Sequence, residues 1–339
     1  MAIISQKQLF SWKEIDNLAD LQRFFLLIKY LPDEELMRKL ELQRSKGRND
    51  YPVRAVWNSI LAGIVYQHIS IESLRRELLR NAQLRQLCGF DLFKGIDAVP
   101  SSNAYTNFLK LLTRESDLVD VMFYSQVKKL SKLLPGFGKT VAIDSKAIAS
   151  CKESRRSHVD FRGEADADKG VKTYKGQRKD GSMWESVKSW FGFKLHLIVD
   201  ADYDMPIDYK VTKASASDIV VGRDMIADIA LNRPETLKHA ELLLGDKGYD
   251  DTGLITTLWK EHNIKPVIDI RDTWKTTGAR QVHGQVNVSH DYKGTVYCHC
   301  PVEWQKRQMA FGGFEKDRNS LKYRCPAKHY GFHCKGSSR

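Results

Sequence analysis

Apolar residues recur at two different periods along this chain, and the change between them fixes what it can fold into. Up to about residue 135 they return every three or four positions: Ile15, Leu18, Leu21, Phe24, Phe25 and Ile28, then Val53, Val56, Trp57, Ile60, Leu61 and Ile64. That spacing lays an apolar stripe along a helix. Beyond Leu134-Pro135-Gly136-Phe137-Gly138 the rhythm becomes that of strands, in Thr140-Val141-Ala142-Ile143 and the alternating Phe191, Phe193, Leu195, Leu197 and Val199. Pro and Gly punctuate chains at such boundaries. The 339 residues therefore divide into an all-helical domain over 1–135 and an α/β domain after it.

Within the first domain, Pro32-Asp33 marks a break and a fresh helix start, and Gln67-His68-Ile69-Ser70 separates a helix at 53–66 from one holding Leu74, Leu78 and Leu79. Residues 81–100 read as irregular, and Ser101-Ser102-Asn103 offers an N-cap to a helix through Tyr105, Phe108, Leu109 and Leu112. Two uses fit short helices of this kind. They can form a helix-turn-helix reader of DNA, or a bundle that only packs or dimerises.

In the second domain, residues 151–182 are polar, with 9 Lys/Arg and 6 Asp/Glu between 151 and 180, and read as a loop. Asp200 to Pro206 turns into a strand at Ile207–Val211, and Ser217-Asp218 opens a helix through Ile219, Met225, Ile226 and Ile229. Leu242-Leu243-Leu244-Gly245-Asp246 is a short buried strand, followed by a helix near 252–262 and a strand at 265–270. Strand, hairpin, helix, strand, helix, strand is an α/β order with a mixed sheet.

Charge narrows the function. Lys and Arg number 54 against 42 acids, a net +12, and residues 271–339 alone hold 13 basic against 5 acidic residues. A clustered surplus favours a polyanionic partner, since each neutralised phosphate releases condensed counterions. No run of about 18 apolar residues offers a membrane span. The N-terminus lacks a basic-then-apolar leader, and six Cys are too sparse for a disulfide scaffold. The expectation is a cytoplasmic protein associated with the nucleoid.

Two carboxylates stand at strand ends, Asp144 in Val-Ala-Ile-Asp-Ser-Lys and Asp246 in Leu-Leu-Leu-Gly-Asp-Lys-Gly-Tyr-Asp-Asp, 102 positions apart. Strand ends are where ligands bind in open α/β sheets. Two Asp on neighbouring strands can hold a pair of divalent cations, Mg²⁺ or Mn²⁺, that activates water and stabilises a leaving phosphate oxygen. The competing reading is that Asp ends a strand because it favours turns.

Ala142-Ile143-Asp144-Ser145-Lys146 and Gly245-Asp246-Lys247-Gly248-Tyr249-Asp250 together resemble the motifs of bacterial insertion-sequence transposases of the DDE type. Gly192-Phe193-Lys194-Leu195-His196, Ala216-Ser217-Asp218 and the helical stretch from Tyr51 to Phe108 are similar to the same family, so the likeness spans about 50–340. It implies a ribonuclease-H-like catalytic core over 136–270 behind a helical DNA-binding or dimerisation domain. It also implies Asp144 and Asp246 as metal-binding carboxylates, Lys146 and Lys247 as phosphate contacts, and double-stranded DNA as partner of a homo-oligomer. Asp218 fits either a place near the site or a helix cap; His196 is read as a packed or exposed strand residue.

The family's third acid, a Glu on a late Arg-rich helix, has no match. Residues 271–339 look like the Cys-containing insertion that precedes that helix, so the expectation is a C-terminally truncated transposase. Glu315, with Lys322 seven positions on, echoes the missing signature, and Glu303 does so less well. Cys298, Cys300, Cys325 and Cys334 offer a thiolate set for structural zinc, although C-x-C, then 24 residues, then C-x8-C is not the usual paired spacing. Free thiols in a basic module are the alternative. For function, the rivals to transposition are a DNA-holding inhibitor fragment, a metal-dependent nuclease of the same fold, and a helix-turn-helix regulator.

Overall fold

The computed structural model describes residues 19–44, 50–150, 166–178, 180, 182–271, 278–300, 302, 305–318 and 320–331. Contacts divide the chain between Leu133 and Leu134 into two compact units.

The first unit is helical: α1 (Ala19–Tyr30), α2 (Glu34–Gln43), α3 (Val53–Val65), α4 (Ile71–Arg80), α5 (Ala82–Cys88), α6 (Ser102–Thr113) and α7 (Ser116–Leu133). Helix α3 is its hub, burying Val53, Ala55, Val56, Trp57, Leu61 and Ala62 in one core with Phe24, Leu36, Leu40, Leu78, Leu87 and Tyr105. Each large apolar side chain so buried contributes roughly 1.5–3 kcal/mol. Several polar groups inside are matched, while Asn58 Oδ1, His68 Nε2 and Arg85 Nε are buried without a hydrogen-bond partner among the described residues. Asp33 is buried and accepts hydrogen bonds from Arg54 at 2.5 Å and from the Trp57 indole at 2.7 Å, while Tyr105 and Ser59 hydroxyls meet at 2.7 Å. Side chains of Ser70, Asn81 and Ser101 cap α4, α5 and α6 through the main-chain N–H of Ser73, Leu84 and Ala104. Residues 81–100, expected to be irregular, hold α5 and a 3₁₀ segment at Leu92–Ala98. Helix α5 is only seven residues long, ended by Gly89 at φ 101°, which leaves too short a stripe for periodicity to register.

The second unit is built on a six-stranded mixed sheet of β1 (Thr140–Ala149), β2 (Asp168–Gln177), β3 (Met183–Asp200), β4 (Met205–Lys213), β5 (Leu242–Gly245) and β6 (Lys265–Ile268). Strand β3 runs antiparallel between β1 and β4, while β1, β5 and β6 are parallel neighbours. Helices α8 (Asp218–Asn232) and α9 (Pro234–His239) connect β4 to β5, and α10 (Thr252–Thr256), prolonged by a π turn, connects β5 to β6. Alternation then sorts the residues. Val141, Ile143, Ile198 and Leu243 are buried on the face against which α8 packs Val221, Met225, Ile226 and Ile229. Ala142, Leu197 and Leu244 on the opposite face are only half-buried. An antiparallel trio continued by two parallel strands, with the helices in these crossovers, is the ribonuclease-H-like arrangement.

The polar stretch expected to be a loop holds β2, whose ten residues pair with the first half of β3; residues 151–165 lie outside the described set. After β6 come two small separate sheets. One is four-stranded, β7 (Arg280–Gln281), β8 (Val288–His290), β9 (Val296–His299) and β10 (Lys306–Gln308); the other is the hairpin β11 (Ala310–Glu315) and β12 (Ser320–Arg324), followed by α11 (Pro326–Tyr330). Among the described residues, no helix is long and apolar enough to cross a membrane.

Candidate active site at the carboxyl edge of the sheet

Register brings the two carboxylates together, although only Asp246 follows a strand end: β1 continues past Asp144 to Ala149, because its second half pairs with β3. Ile143 of β1 is the parallel partner of Gly245 of β5. The next residue on each chain is Asp144 and Asp246, and neighbouring strands lie about 4.8 Å apart. A Cβ on Gly245 would stand 3.5 Å from Ile143 and from Tyr249, on the helix-covered face. One step further along each chain the pleat turns both aspartates to the other face, where both are exposed.

Local hydrogen bonds set each carboxylate. Asp144 Oδ1 accepts from the main-chain N–H of Ser145 at 2.7 Å, and Asp246 Oδ1 accepts from that of Gly248 at 2.7 Å. A Cβ on Gly248 would fall 2.6 Å from that same oxygen, so any side chain there would displace the Asp246 carboxylate from this position. The following Tyr249 is buried and lies against Gly222 of α8, whose Cβ would sit 3.2 Å from the ring. Burial first, then the charges of Asp218, Asp144 and Asp246, push the Tyr249 hydroxyl up, with nearby Ser145 opposing them. The hydroxyl stays protonated and has no hydrogen-bond partner among the described residues, so the ring anchors the turn by its packing.

Arg271 braces the turn from outside. Its side chain donates to the carbonyls of Lys247, at 2.6 Å, and Gly248, and its main-chain N–H donates to Asp250 at 2.7 Å. Sequence reading passed over Arg271 because it lies more than twenty positions from the residues it holds, beyond the reach of any local pattern.

The other candidates fall as follows. Lys146 is exposed two positions after Asp144 on the same face, and Lys247 is exposed directly after Asp246. Asp218 opens α8, and its carboxylate takes Lys194 at 3.0 Å instead of capping the helix. The same ammonium donates to the Ala216 carbonyl at 2.7 Å. His196 is fully buried, with Nε2 3.0 Å from Thr212 Oγ1 and Nδ1 3.8 Å from Asp218. Burial lowers its pKa, helped by Lys194 and Lys210 and opposed by Asp218, so the ring is neutral at neutral pH.

Glu315 is not brought to the aspartates. It ends β11, not a helix, and its carboxylate pairs with Lys322 at 3.0 Å and Arg318 at 4.0 Å. The seven-residue spacing to Lys322 comes from hairpin pairing, where Gly313 faces Lys322 and Glu315 faces Ser320, and not from two helical turns. Glu303 and Cys334 lie outside the described residues. Among the described residues no disulfide joins Cys298, Cys300 and Cys325, and no three His, Cys, Asp or Glu gather where a metal ion could be held.

The donor set suits a hard cation all the same. Two exposed carboxylates side by side concentrate negative charge, and Mg²⁺ sites commonly use one or two carboxylates with substrate phosphate and water.

Comparison with protein families agrees with this geometry. Residues 135–310 match the transposase DDE domain and residues 7–111 match a transposase domain (DUF772). No curated protein and no solved structure is significantly similar to the chain. With more than half of its length matched to the catalytic domain, the chain belongs to the DDE transposase family of insertion sequences.

Proposed function

We propose that this protein moves its insertion sequence by phosphoryl transfer on double-stranded DNA, acting as a homo-oligomer, with Asp144 and Asp246 holding Mg²⁺ or Mn²⁺ at the scissile phosphate. The observation that carries the reading is the parallel register that sets the two carboxylates side by side at an open strand edge. Divalent ions, when bound, supply charge stabilisation of the phosphate oxygens and a more acidic water. The chain's own groups do the rest. The main-chain N–H donors of Ser145 and Gly248 hold the carboxylates in orientation before substrate arrives. Lys146 and Lys247 offer positive charge to flanking phosphates, and Arg271 with Tyr249 keeps the second carboxylate's turn from collapsing toward its partner. Water adds to phosphorus as the bond to the 3′-oxygen breaks, freeing a 3′-hydroxyl. That hydroxyl then attacks a phosphorus of target DNA, expelling another 3′-oxygen.

One observation favours a second reading. Among the described residues no third acid gathers with these two where a metal ion could be held, whereas the family uses three, so a chain that holds DNA ends without joining them is the alternative. Products decide between the two. Incubated with Mg²⁺ and a duplex bearing the element's own terminal sequence, the protein is expected to give joined strands. Simple nicks would indicate a nuclease, and binding without either product the inhibitory role. Asp144→Asn and Asp246→Asn are each expected to slow cleavage about a thousandfold, roughly 4 kcal/mol of barrier, with binding retained. Cleavage at the wild-type rate by either variant would remove the assignment.

A further inference from the structure

The hairpin of β11 and β12 is amphipathic, and the face it turns to solvent is the apolar one. Phe311 stands opposite Tyr323 across the two strands, and Phe314 opposite Leu321. The register shifts between Phe311 and Gly313, which adds one residue to β11 and brings both pairs onto a single face. There Phe311 is 61%, Leu321 60% and Phe314 47% exposed, and the Phe311 and Tyr323 rings meet edge-on with centroids 5.9 Å apart.

The opposite face is taken by ions. Glu315 pairs with Lys322 at 3.0 Å, and the Arg324 side chain runs across Gly312, where a Cβ would stand 3.2 Å from its Cγ. A hairpin folded for burial alone has its apolar face on the core and its ions in water. This one is nevertheless fixed in place. Ala310 at its base and Pro326 just beyond it are buried, and the Met309 N–H donates to the Val296 carbonyl of β9 at 2.8 Å. Grouped apolar side chains held in water forgo the stabilisation of burial, and a patch of them with a polar rim marks a binding surface.

Charge selects the occupant. Residues 305–331 hold seven Lys or Arg and two acids, Glu315 and Asp317, and Glu315 is already paired. Lys316 and Arg318 are exposed at the hairpin's turn. A second copy brought onto this face by a two-fold axis would set those cations against their own duplicates, whereas a polyanion meets them favourably. Rings then select among polyanions. Unpaired bases stack on exposed Phe and Tyr side chains, while the base faces of a duplex are already hidden in their own stack.

We infer that the apolar face of the β11–β12 hairpin is a stacking platform for unpaired DNA, with bases on Phe311, Phe314 and Tyr323 and phosphates on Lys316 and Arg318. This rests on the transposase reading above and adds to it a second DNA surface. The cut that frees a 3′-hydroxyl leaves a strand end whose last nucleotides can unpair, and the platform holds them away from their complement.

The test uses the full-length protein and two fluorescent duplexes of the element's terminal sequence, one blunt and one ending in a short unpaired thymidine tail. The wild type is expected to bind the tailed duplex about tenfold more tightly, a modest return for bases stacked on aromatic rings. Phe311→Ala/Phe314→Ala should lose that preference with its blunt-end affinity and melting temperature unchanged, since both rings already stand in solvent; Phe311→Trp/Phe314→Trp should keep it. A wild type indifferent to the tail overturns the platform, and so does an alanine variant that still prefers it; both leave the transposase reading intact. An alanine variant that keeps the preference but loses self-association, or retention on anionic lipid vesicles, gives the face to a second copy or to a membrane instead. Wild-type protein that binds neither duplex would overturn the transposase reading itself.

Discussion

Three aspartates of the catalytic unit, Asp200 at the end of β3, Asp246 just after β5 and Asp144 within β1, have different surroundings and different work. Asp200, at the end of β3, is fully buried and accepts the main-chain N–H of Gly138 at 2.6 Å, Asp202 at 3.0 Å and Tyr203 at 2.7 Å. It is the turn-forming aspartate that strand ends ordinarily carry. Asp144 and Asp246 likewise follow apolar strand sequence yet stay exposed, each held by a neighbouring N–H and open on its outer side. Exposure and company, not residue type, separate the structural carboxylate from the candidate catalytic pair. His196 gives a prediction at this scale. Its native pKa lies below the ordinary 6.5 because burial disfavours the imidazolium. The unfolded chain therefore takes up a proton first as pH falls, and stability declines from about 6.5 downward until the native ring protonates too. Denaturant unfolding at pH 7.5 and 5.5 is expected to show this loss, and His196→Gln to reduce it. A pH response identical in the two proteins would mean His196 stays neutral in both states or is uncoupled from folding.

Elements were legible where one face meets a core and the other meets water. The alternation of the first half of β1 and of the second half of β3 is of this kind, while α3, buried on most of its surface, showed through its apolar run. Strand β2 was not legible, since the ribbon it makes with the first half of β3 is wet on both faces and has no reason to alternate apolar with polar residues, and its Lys-rich sequence reads as a loop. Arg271 was missed because its partners are distant in sequence. The Glu315 spacing misled because positions seven apart can be neighbours across a hairpin as well as along a helix. Gly192, quoted at first only as part of a motif, carries the bend between sheet and ribbon. Its φ is 147°, and a Cβ there would meet the Ile148 carbonyl at 2.3 Å and the Ser150 nitrogen at 2.6 Å. Neither contact can be relieved by a side chain, so Gly192→Ala should destabilise the catalytic unit by about 2 kcal/mol, within the range for overpacking. A denaturant midpoint equal to wild type would show that β1 can yield at this point.

At the scale of the molecule, a surplus of positive charge is distributed over a fold whose carboxyl edge carries the exposed acids Asp144 and Asp246, with exposed Asp269 directly after β6. A polyanion drawn in by the net +12 therefore meets local negative charge at that edge, which cations must neutralise. The pairing of β1 with β5 has a consequence for how this gene can vary. Between the two aspartates the chain tolerates a ribbon, a hairpin and two helices, because none of these sets the phase of the pleat. Inside Leu242–Gly245 the tolerance vanishes: one added residue sends the aspartate's carboxylate through to the side occupied by α8. Inserting a single alanine between Leu243 and Leu244 should abolish cleavage, whereas the same insertion at Asp180, in the ribbon's tip, should not. Length changes in homologous elements should therefore collect in the connections and spare these four residues, an indel signature of the active site that requires no chemistry to detect.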